Sequence, residues 1–169
     1  MYRDLCYPTD GSDGADAALE DAQDIARHYD ATVHVLSVVN TAEEGGGLGT
    51  DPNQEPAAGM VGDPAGGSGG MVGRRETMDD QRSELEERAG RLAREVAGRF
   101  EGVETEPAVS VGEPAEEIVD YSTAADVDLV VMGTHGRTGL DRYLVGSVTE
   151  AVVRRSDVPV LTVRADAEG

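Results

Sequence analysis

The stretch that decides the fold runs from Asp128 to Leu161 and reads DLVVMGTHGRTGLDRYLVGSVTEAVVRRSDVPVL. It opens with the uninterrupted apolar run 129–132, which is typical of a strand buried on both faces of a parallel sheet. Glycines follow at once, and residues 148–155 then have the apolar spacing of a helix. A strand, a glycine-rich loop and a helix in this order predict a loop that binds phosphate.

Backbone amides would be the hydrogen-bond donors of this loop. Glycine lacks a Cβ atom, so its backbone can adopt positive φ and approach an anion closely. The free N–H groups of a helix that starts near Gly146 and Ser147 would add a partial positive charge. Ser147 also opens an S-x-x-E sequence with Glu150, which predicts that its hydroxyl caps the helix when no ligand is bound.

Two common kinds of phosphate loop are excluded. A Walker loop requires a lysine after its second glycine, and all 14 basic residues of this chain are arginine. The dinucleotide fingerprint GxGxxG is missing after the first strand, because Gly11 and Gly14 lack a third glycine. The spacing that remains is G-x2-G-x9-G-S, formed by Gly133, Gly136, Gly146 and Ser147.

This spacing resembles the nucleotide-binding signature of the universal stress protein family. Residues 7–12 (YPTDGS) are similar to the family's first strand and loop, and VPVL at 158–161 is similar to its last strand. The resemblance covers the chain apart from residues 41–75. It implies an α/β, Rossmann-like fold: a doubly wound, five-stranded parallel sheet of order 3-2-1-4-5 with helices on both faces.

The resemblance also implies ligands and partners. The ligand would be ATP, or AMP or ADP, with Mg2+ accompanying the phosphates. Asp10 would contact the ribose or the metal, the backbone of Val38 would contact the adenine ring, and Arg137 would contact the terminal phosphate. The edge strand from Val158 to Arg164 would pair with its copy in a homodimer. The expected contact residues are Pro8, Thr9, Asp10, Ser12, Val38, Met132, Gly133, Gly136, Arg137, Gly146, Ser147, Val148 and Thr149.

Residue type alone leaves other interpretations open for these positions. Asp10 is also a common turn former or helix cap, and Arg137 could be an ordinary exposed loop arginine. His34 is expected to be a satisfied strand residue, since no metal-ligand spacing surrounds it. Cys6 is expected to be a small core residue with an inert thiol.

Composition limits the class of protein. A length of 169 residues predicts a single domain over 1–169, and a formal net charge of −20 makes nucleic acid and anionic membranes unfavourable partners. No stretch reaches the roughly 18 apolar residues of a membrane span, so we expect a cytoplasmic protein. The acids are spread along the helices, which is typical of a surface adapted to concentrated salt.

Strands and helices alternate along the chain, which also predicts an α/β fold with a parallel sheet. Strands are expected at 3–8, 32–39, 105–111, 129–132 and 158–164. Helices are expected at 13–29, at 76–100 as scaffold over the sheet, and from Pro114. Residues 41–75 hold 11 of the 22 glycines, which predicts a flexible insertion that is either passive or a lid over the nucleotide.

These features favour an ATP-binding universal stress protein that acts as a nucleotide-dependent sensor or switch. Two alternatives stay open. A slow ATP hydrolase or nucleotidyl-transfer enzyme is one, although no general base, arginine finger or lysine clamp is identifiable. The other is a dimeric interaction module that binds no nucleotide.

Overall fold

The computed structural model describes residues 1–40, 70–134 and 145–164, with side chains described from residue 79 in the second range. Within these ranges the strands are β1 Asp4–Pro8, β2 Thr32–Asn40, β3 Thr105–Gly112, β4 Leu129–Gly133 and β5 Val160–Val163. The helices are α1 Asp13–Asp16, α2 Leu19–Tyr29, α3 Gly70–Ala97, α4 Pro114–Ala124 and α5 Ser147–Arg155.

The strands form one sheet of order β3-β2-β1-β4-β5 in which every pairing is parallel. The predicted fold class and strand order are therefore confirmed. The central strand β1 pairs with β2 on one side and with β4 on the other, so strand order reverses between β1 and β4. Ligands of doubly wound sheets bind beyond the carboxyl ends of the strands at such a reversal.

Two apolar layers cover the sheet. On one face, α2 and α3 pack against Leu5, Tyr7 and Val33. On the other face, α4 and α5 pack against Cys6 and Leu36. Successive residues of a strand point to opposite faces, so the unbroken apolar run Leu5-Cys6-Tyr7 supplies both layers at once.

The segment 13–29 forms two helices, where the sequence predicted one. The Tyr7 hydroxyl donates a 2.6 Å hydrogen bond to the Ala15 carbonyl, and Ala18 N–H bonds to the same carbonyl in a tighter 3-10 turn. This tertiary contact interrupts the helical ladder at its fourth residue. Burial raises the pKa of Tyr7, so its hydroxyl keeps the proton that it donates.

Three predicted boundaries also differ by more than one residue. Strand β5 begins at Val160 instead of Val158, because Ser156 Oγ accepts a hydrogen bond from Val158 N–H in a turn and Pro159 has no N–H to give. Helix α3 begins at Gly70, since extending a formed helix costs far less than nucleating one. Residues 70–75 of the predicted insertion are thus helical, and 41–69 lie outside the described residues. The same helix ends at Ala97, just before Gly98, instead of at Phe100.

Two side chains with possible chemistry are structural, as predicted. Cys6 is fully buried, and burial raises the pKa of its thiol to about 12, which leaves almost no reactive thiolate near neutral pH. His34 has partners at both ring nitrogens: the Tyr121 hydroxyl lies 2.9 Å from Nδ1 and Asp4 Oδ1 lies 3.2 Å from Nε2. In the described ranges, none of the helices combines the length and the apolar character that a membrane span requires.

Candidate functional site

A cavity of about 770 Å3 opens at the carboxyl edge of the sheet, at the point where strand order reverses. Cavities of a few hundred to about a thousand Å3 are typical of small-molecule sites. Its lining comes from the loop after β1, the end of β2, the end of β4, and the helices α3, α4 and α5. The polar and glycine positions on its surface include Thr9, Asp10, Gly11, Ser37, Asn40, Gly133, Gly146 and Thr149.

The loop after β1 holds Asp10 in a defined turn. Thr9 N–H bonds to the Leu36 carbonyl at 2.8 Å, which fixes the loop to the end of β2. Asp10 Oδ1 then accepts hydrogen bonds from Ser12 N–H at 3.0 Å and Ser12 Oγ at 2.5 Å. Asp10 is therefore a turn former, and it also lines the cavity. The two interpretations left open by residue type are compatible.

Gly133 lies where the end of β4 contacts the start of α1. A Cβ atom at this position would overlap the Gly14 carbonyl oxygen and lie 2.5 Å from the carbonyl carbon. Only glycine therefore lets the end of β4 pack against α1. This requirement is one of packing, and it exists whether or not an anion is bound.

The start of α5 is fixed above the end of β4. Gly146 N–H bonds to the Thr134 carbonyl at 2.6 Å, and the buried Thr149 hydroxyl donates to the Gly133 carbonyl at 2.9 Å. The first hydrogen bond inside the helix runs from Glu150 N–H to the Gly146 carbonyl at 2.9 Å. The amides before Glu150 thus belong to the helix N-terminus, which carries partial positive charge.

The predicted capping box at Ser147 is wrong. Gly146, with extended backbone angles, occupies the cap position, and Ser147 is the first helical residue with no side-chain cap on this helix. The cause is the hydrogen bond between Gly146 and Thr134, which sets where the helix begins. Ser147 is exposed at this end of α5.

The structure brings most of the predicted contact residues to one cavity. Nine of them line it: Pro8, Thr9, Asp10, Val38, Met132, Gly133, Gly146, Val148 and Thr149. Ser12 supports the Asp10 turn from outside the lining, and Ser147 also lies outside it. Gly136 and Arg137 lie outside the described residues.

Sequence reasoning missed one wall of the cavity, which belongs to α3. It assigned this helix to scaffold, yet Leu85, Arg88, Ala89 and Leu92 line the cavity along one helical face. The Leu92 side chain packs close to Gly11, where its Cδ1 atom lies 3.2 Å from the place that a Cβ would occupy. The available signal was Arg88 itself, an arginine three residues after Leu85 and four before Leu92 on the same face.

Charged side chains of both signs line the cavity: Asp10 and Glu95, and Arg88 and Arg91. Arg91 is paired with Glu87 at 3.8 Å. Among the described residues, no three His, Cys, Asp or Glu side chains are grouped closely enough to hold a metal ion. Asp10 is the lining carboxylate nearest in sequence to the glycine positions of the first loop.

Known proteins resemble the chain over nearly its whole length. The sequence profile of the universal stress protein family matches residues 1–164. Universal stress protein MJ0531 of Methanocaldococcus jannaschii is 34% identical over 97% of this chain and 83% of its own length. The solved structure of hypothetical protein MJ0577 superposes with a TM-score of 0.76 at 28% identity and covers 99% of both chains.

A universal stress protein solved in complex with cAMP superposes with a TM-score of 0.57 at 21% identity, covering 98% of both chains, and shows that the fold is shared. The chain therefore belongs to the universal stress protein family.

Proposed function

We propose that the chain binds an adenine nucleotide, with ATP as the leading candidate, in the cavity at the carboxyl edge, and acts as a nucleotide-dependent sensor or switch in a stress response. One observation carries this proposal. Asp10 and the glycine positions Gly133 and Gly146 come from opposite ends of the sequence and line the same cavity.

Different lining residues suit the ribose, the base and the phosphates of a nucleotide. Asp10 would accept hydrogen bonds from the ribose hydroxyls, and the backbone near Val38 with the apolar side chains of Pro114 and Ile118 would surround the base. Gly133, Gly146 and the N-terminus of α5 would receive the phosphates. We place Gly136, Arg137 and Ser147 at the phosphate end as well.

Mg2+ would enter with the phosphates. Magnesium in nucleotide sites is commonly held by phosphate oxygens, water and one or two carboxylates. The described lining fits this arrangement because it offers Asp10 and Glu95 but no cage of several metal ligands. We further place the protein in the cytoplasm and in concentrated salt. Nucleic acid and membranes are not proposed as partners, since the formal net charge of −20 repels polyanions.

Titration calorimetry with ATP and Mg2+ tests the proposal. We expect saturable binding of one nucleotide per chain, and at a ligand concentration of 100 times Kd a stabilisation of about 2.7 kcal/mol. This stabilisation corresponds to a rise in Tm of roughly 5–10 °C for a chain of this size. Adenosine, which lacks the phosphates, and inorganic triphosphate, which lacks the nucleoside, serve as controls. Each should bind more weakly than ATP. Absence of both heat and thermal shift with ATP would favour the nucleotide-free interaction module.

We also propose that β5 pairs with its copy in a symmetric dimer. Strand β5 is at the end of the sheet, with β4 on one side, and Leu161 is 36% exposed. The Pro159 carbonyl accepts a hydrogen bond from Val130 N–H in β4, and the Val163 carbonyl accepts one from Thr134 N–H just after β4. Since backbone direction alternates along a strand, the N–H group of Thr162 points away from β4, to a side on which β5 pairs with no described strand. An open apolar edge is a template for pairing with a second chain.

Light scattering after gel filtration tests the dimer. The native protein should have twice the chain mass of 17.7 kDa. Thr162→Pro removes an edge N–H without removing a bond to β4, so it should give a folded monomer. Thr162→Val keeps the N–H and should remain dimeric. A monomeric native protein, or an unchanged mass for Thr162→Pro, would argue against pairing through β5.

A further inference from the structure

The α3 wall places one arginine at the edge of the proposed nucleotide site. Leu92 packs beside Gly11 in the loop after β1, and Arg88 lines the cavity one helical turn closer to the start of α3. One turn advances about 5.4 Å along a helix axis. The loop that carries Asp10 and the side chain of Arg88 are therefore neighbours on the cavity surface.

Arg88 differs from Arg82 and Arg91 of the same helix in its electrostatic surroundings. Arg82 is paired with Glu86 at 2.9 Å, and Arg91 with Glu87 at 3.8 Å. Within the described parts of the chain, Arg88 has no carboxylate within 4.0 Å. Its guanidinium is thus a positive charge without an acidic partner, on a chain that has 34 acids and 14 arginines.

We propose that Arg88 contacts the phosphate chain of the bound nucleotide, an inference that rests on the proposed function. A guanidinium matches phosphate oxygens with two parallel hydrogen bonds, and charge-assisted bonds of this kind are about twice as strong as neutral ones. The cavity needs such a charge, because Asp10 and Glu95 line it and the whole chain repels anions. Arg88 would then share the phosphates with the backbone amides and with Arg137.

Contact with the base would be the other use of a guanidinium, since arginine also stacks on aromatic rings. The two contacts predict different ligand dependence. Stacking on adenine would strengthen the binding of adenosine and of ATP equally. Contact with phosphate strengthens the binding of ATP and leaves the binding of adenosine unchanged.

Arg88→Gln tests the inference by calorimetry with ATP–Mg2+ and with adenosine. We expect the Kd for ATP to rise about tenfold, the size of one lost charged hydrogen bond at a partly exposed site. The Kd for adenosine should stay within about twofold of the native value. Between about 0.1 M and about 1 M salt, ATP binding should weaken less in Arg88→Gln than in the native protein, because a screened charge has been removed. Arg88→Lys keeps the charge and should recover part of the loss.

Arg94→Gln is the matched control. Arg94 lies on the same helix and loses the same charge, but it borders a separate groove with Ser83 and Val109 on the β3 side. Its Kd for ATP should stay within about twofold of the native value, because screening weakens the effect of a charge outside the site. Ligand-free Arg88→Gln should also unfold at the native temperature, since Arg88 has no ion pair to lose among the described residues.

The outcomes separate this inference from the proposed function. If the native protein binds no ATP, the proposed function fails first. If native protein, Arg94→Gln and Arg88→Gln all bind ATP equally, the proposed function stands and the role of Arg88 is overturned. Equal weakening of ATP and adenosine in Arg88→Gln would also overturn it, because the lost contact would then be to the nucleoside.

Discussion

Gly133→Ala is expected to destabilise the ligand-free protein by about 3 kcal/mol, which lowers Tm by roughly 6–12 °C. The added Cβ would overlap the Gly14 carbonyl oxygen and lie 3.1 Å from Ala15 N. These are backbone atoms, so no side chain can rotate away to make room. Either α1 or the end of β4 must move, and Thr149 would lose alignment with the Gly133 carbonyl.

Thermal and urea unfolding without nucleotide measure this effect, and Gly98→Ala is the matched control. Gly98 follows the last turn of α3, and a Cβ there would meet the Glu95 and Arg94 carbonyls at 3.4 and 3.5 Å, close to ordinary contact distances. We expect it to change the free energy of unfolding by less than about 1 kcal/mol. Native-like unfolding of Gly133→Ala would mean that β4 and α1 are not packed this closely.

This result bears on how glycines in phosphate loops are tested. Gly133→Ala is expected to weaken nucleotide binding too, but through displacement of the loop between β1 and α1. A binding defect in this variant therefore does not show that Gly133 contacts phosphate. Substitutions that leave the packing of β4 on α1 intact are required for that conclusion.

The general architecture was predictable from the sequence because it depends on local composition. Continuous apolar runs such as the one containing Leu5 and Cys6 predict strands covered on both faces, and alternation with helices predicts a parallel sheet. The order of the strands then followed from the family resemblance. Together they predicted that Asp10 and Gly133 border the same crevice, which the structure confirms as a shared lining.

The features that sequence reasoning missed each depend on a contact between distant residues. The break after α1 arises from the Tyr7 hydroxyl, and the start of α5 is set by Thr134. The role of α3 depends on where the helix crosses the sheet edge, so its apolar stripe alone could not separate core from cavity wall. Arg88 on that stripe was the one local signal of a ligand-facing surface.

Asp10→Asn is expected to raise the Kd for ATP by at least about tenfold, and Asp10→Ala by about a hundredfold. The Asp10 side chain has two tasks in the proposed complex. Its Oδ1 atom holds Ser12 N–H and Ser12 Oγ in the turn, and its charge would strengthen hydrogen bonds from the ribose hydroxyls. Asparagine has the same oxygen for the turn but lacks the charge, whereas alanine removes both.

The comparison of the two variants separates these tasks. Ligand-free Asp10→Asn should unfold nearer to the native temperature than Asp10→Ala, because asparagine keeps the turn, whereas alanine lowers the free energy of unfolding by about 1 kcal/mol. Asp13→Asn is the matched control, because Asp13 is the next acid in sequence, begins α1 and does not line the cavity. Its Kd for ATP should stay near the native value. If Asp10→Asn binds ATP as tightly as the native protein, the charge of Asp10 does not hold the ribose, which must then be held by other groups on the cavity surface.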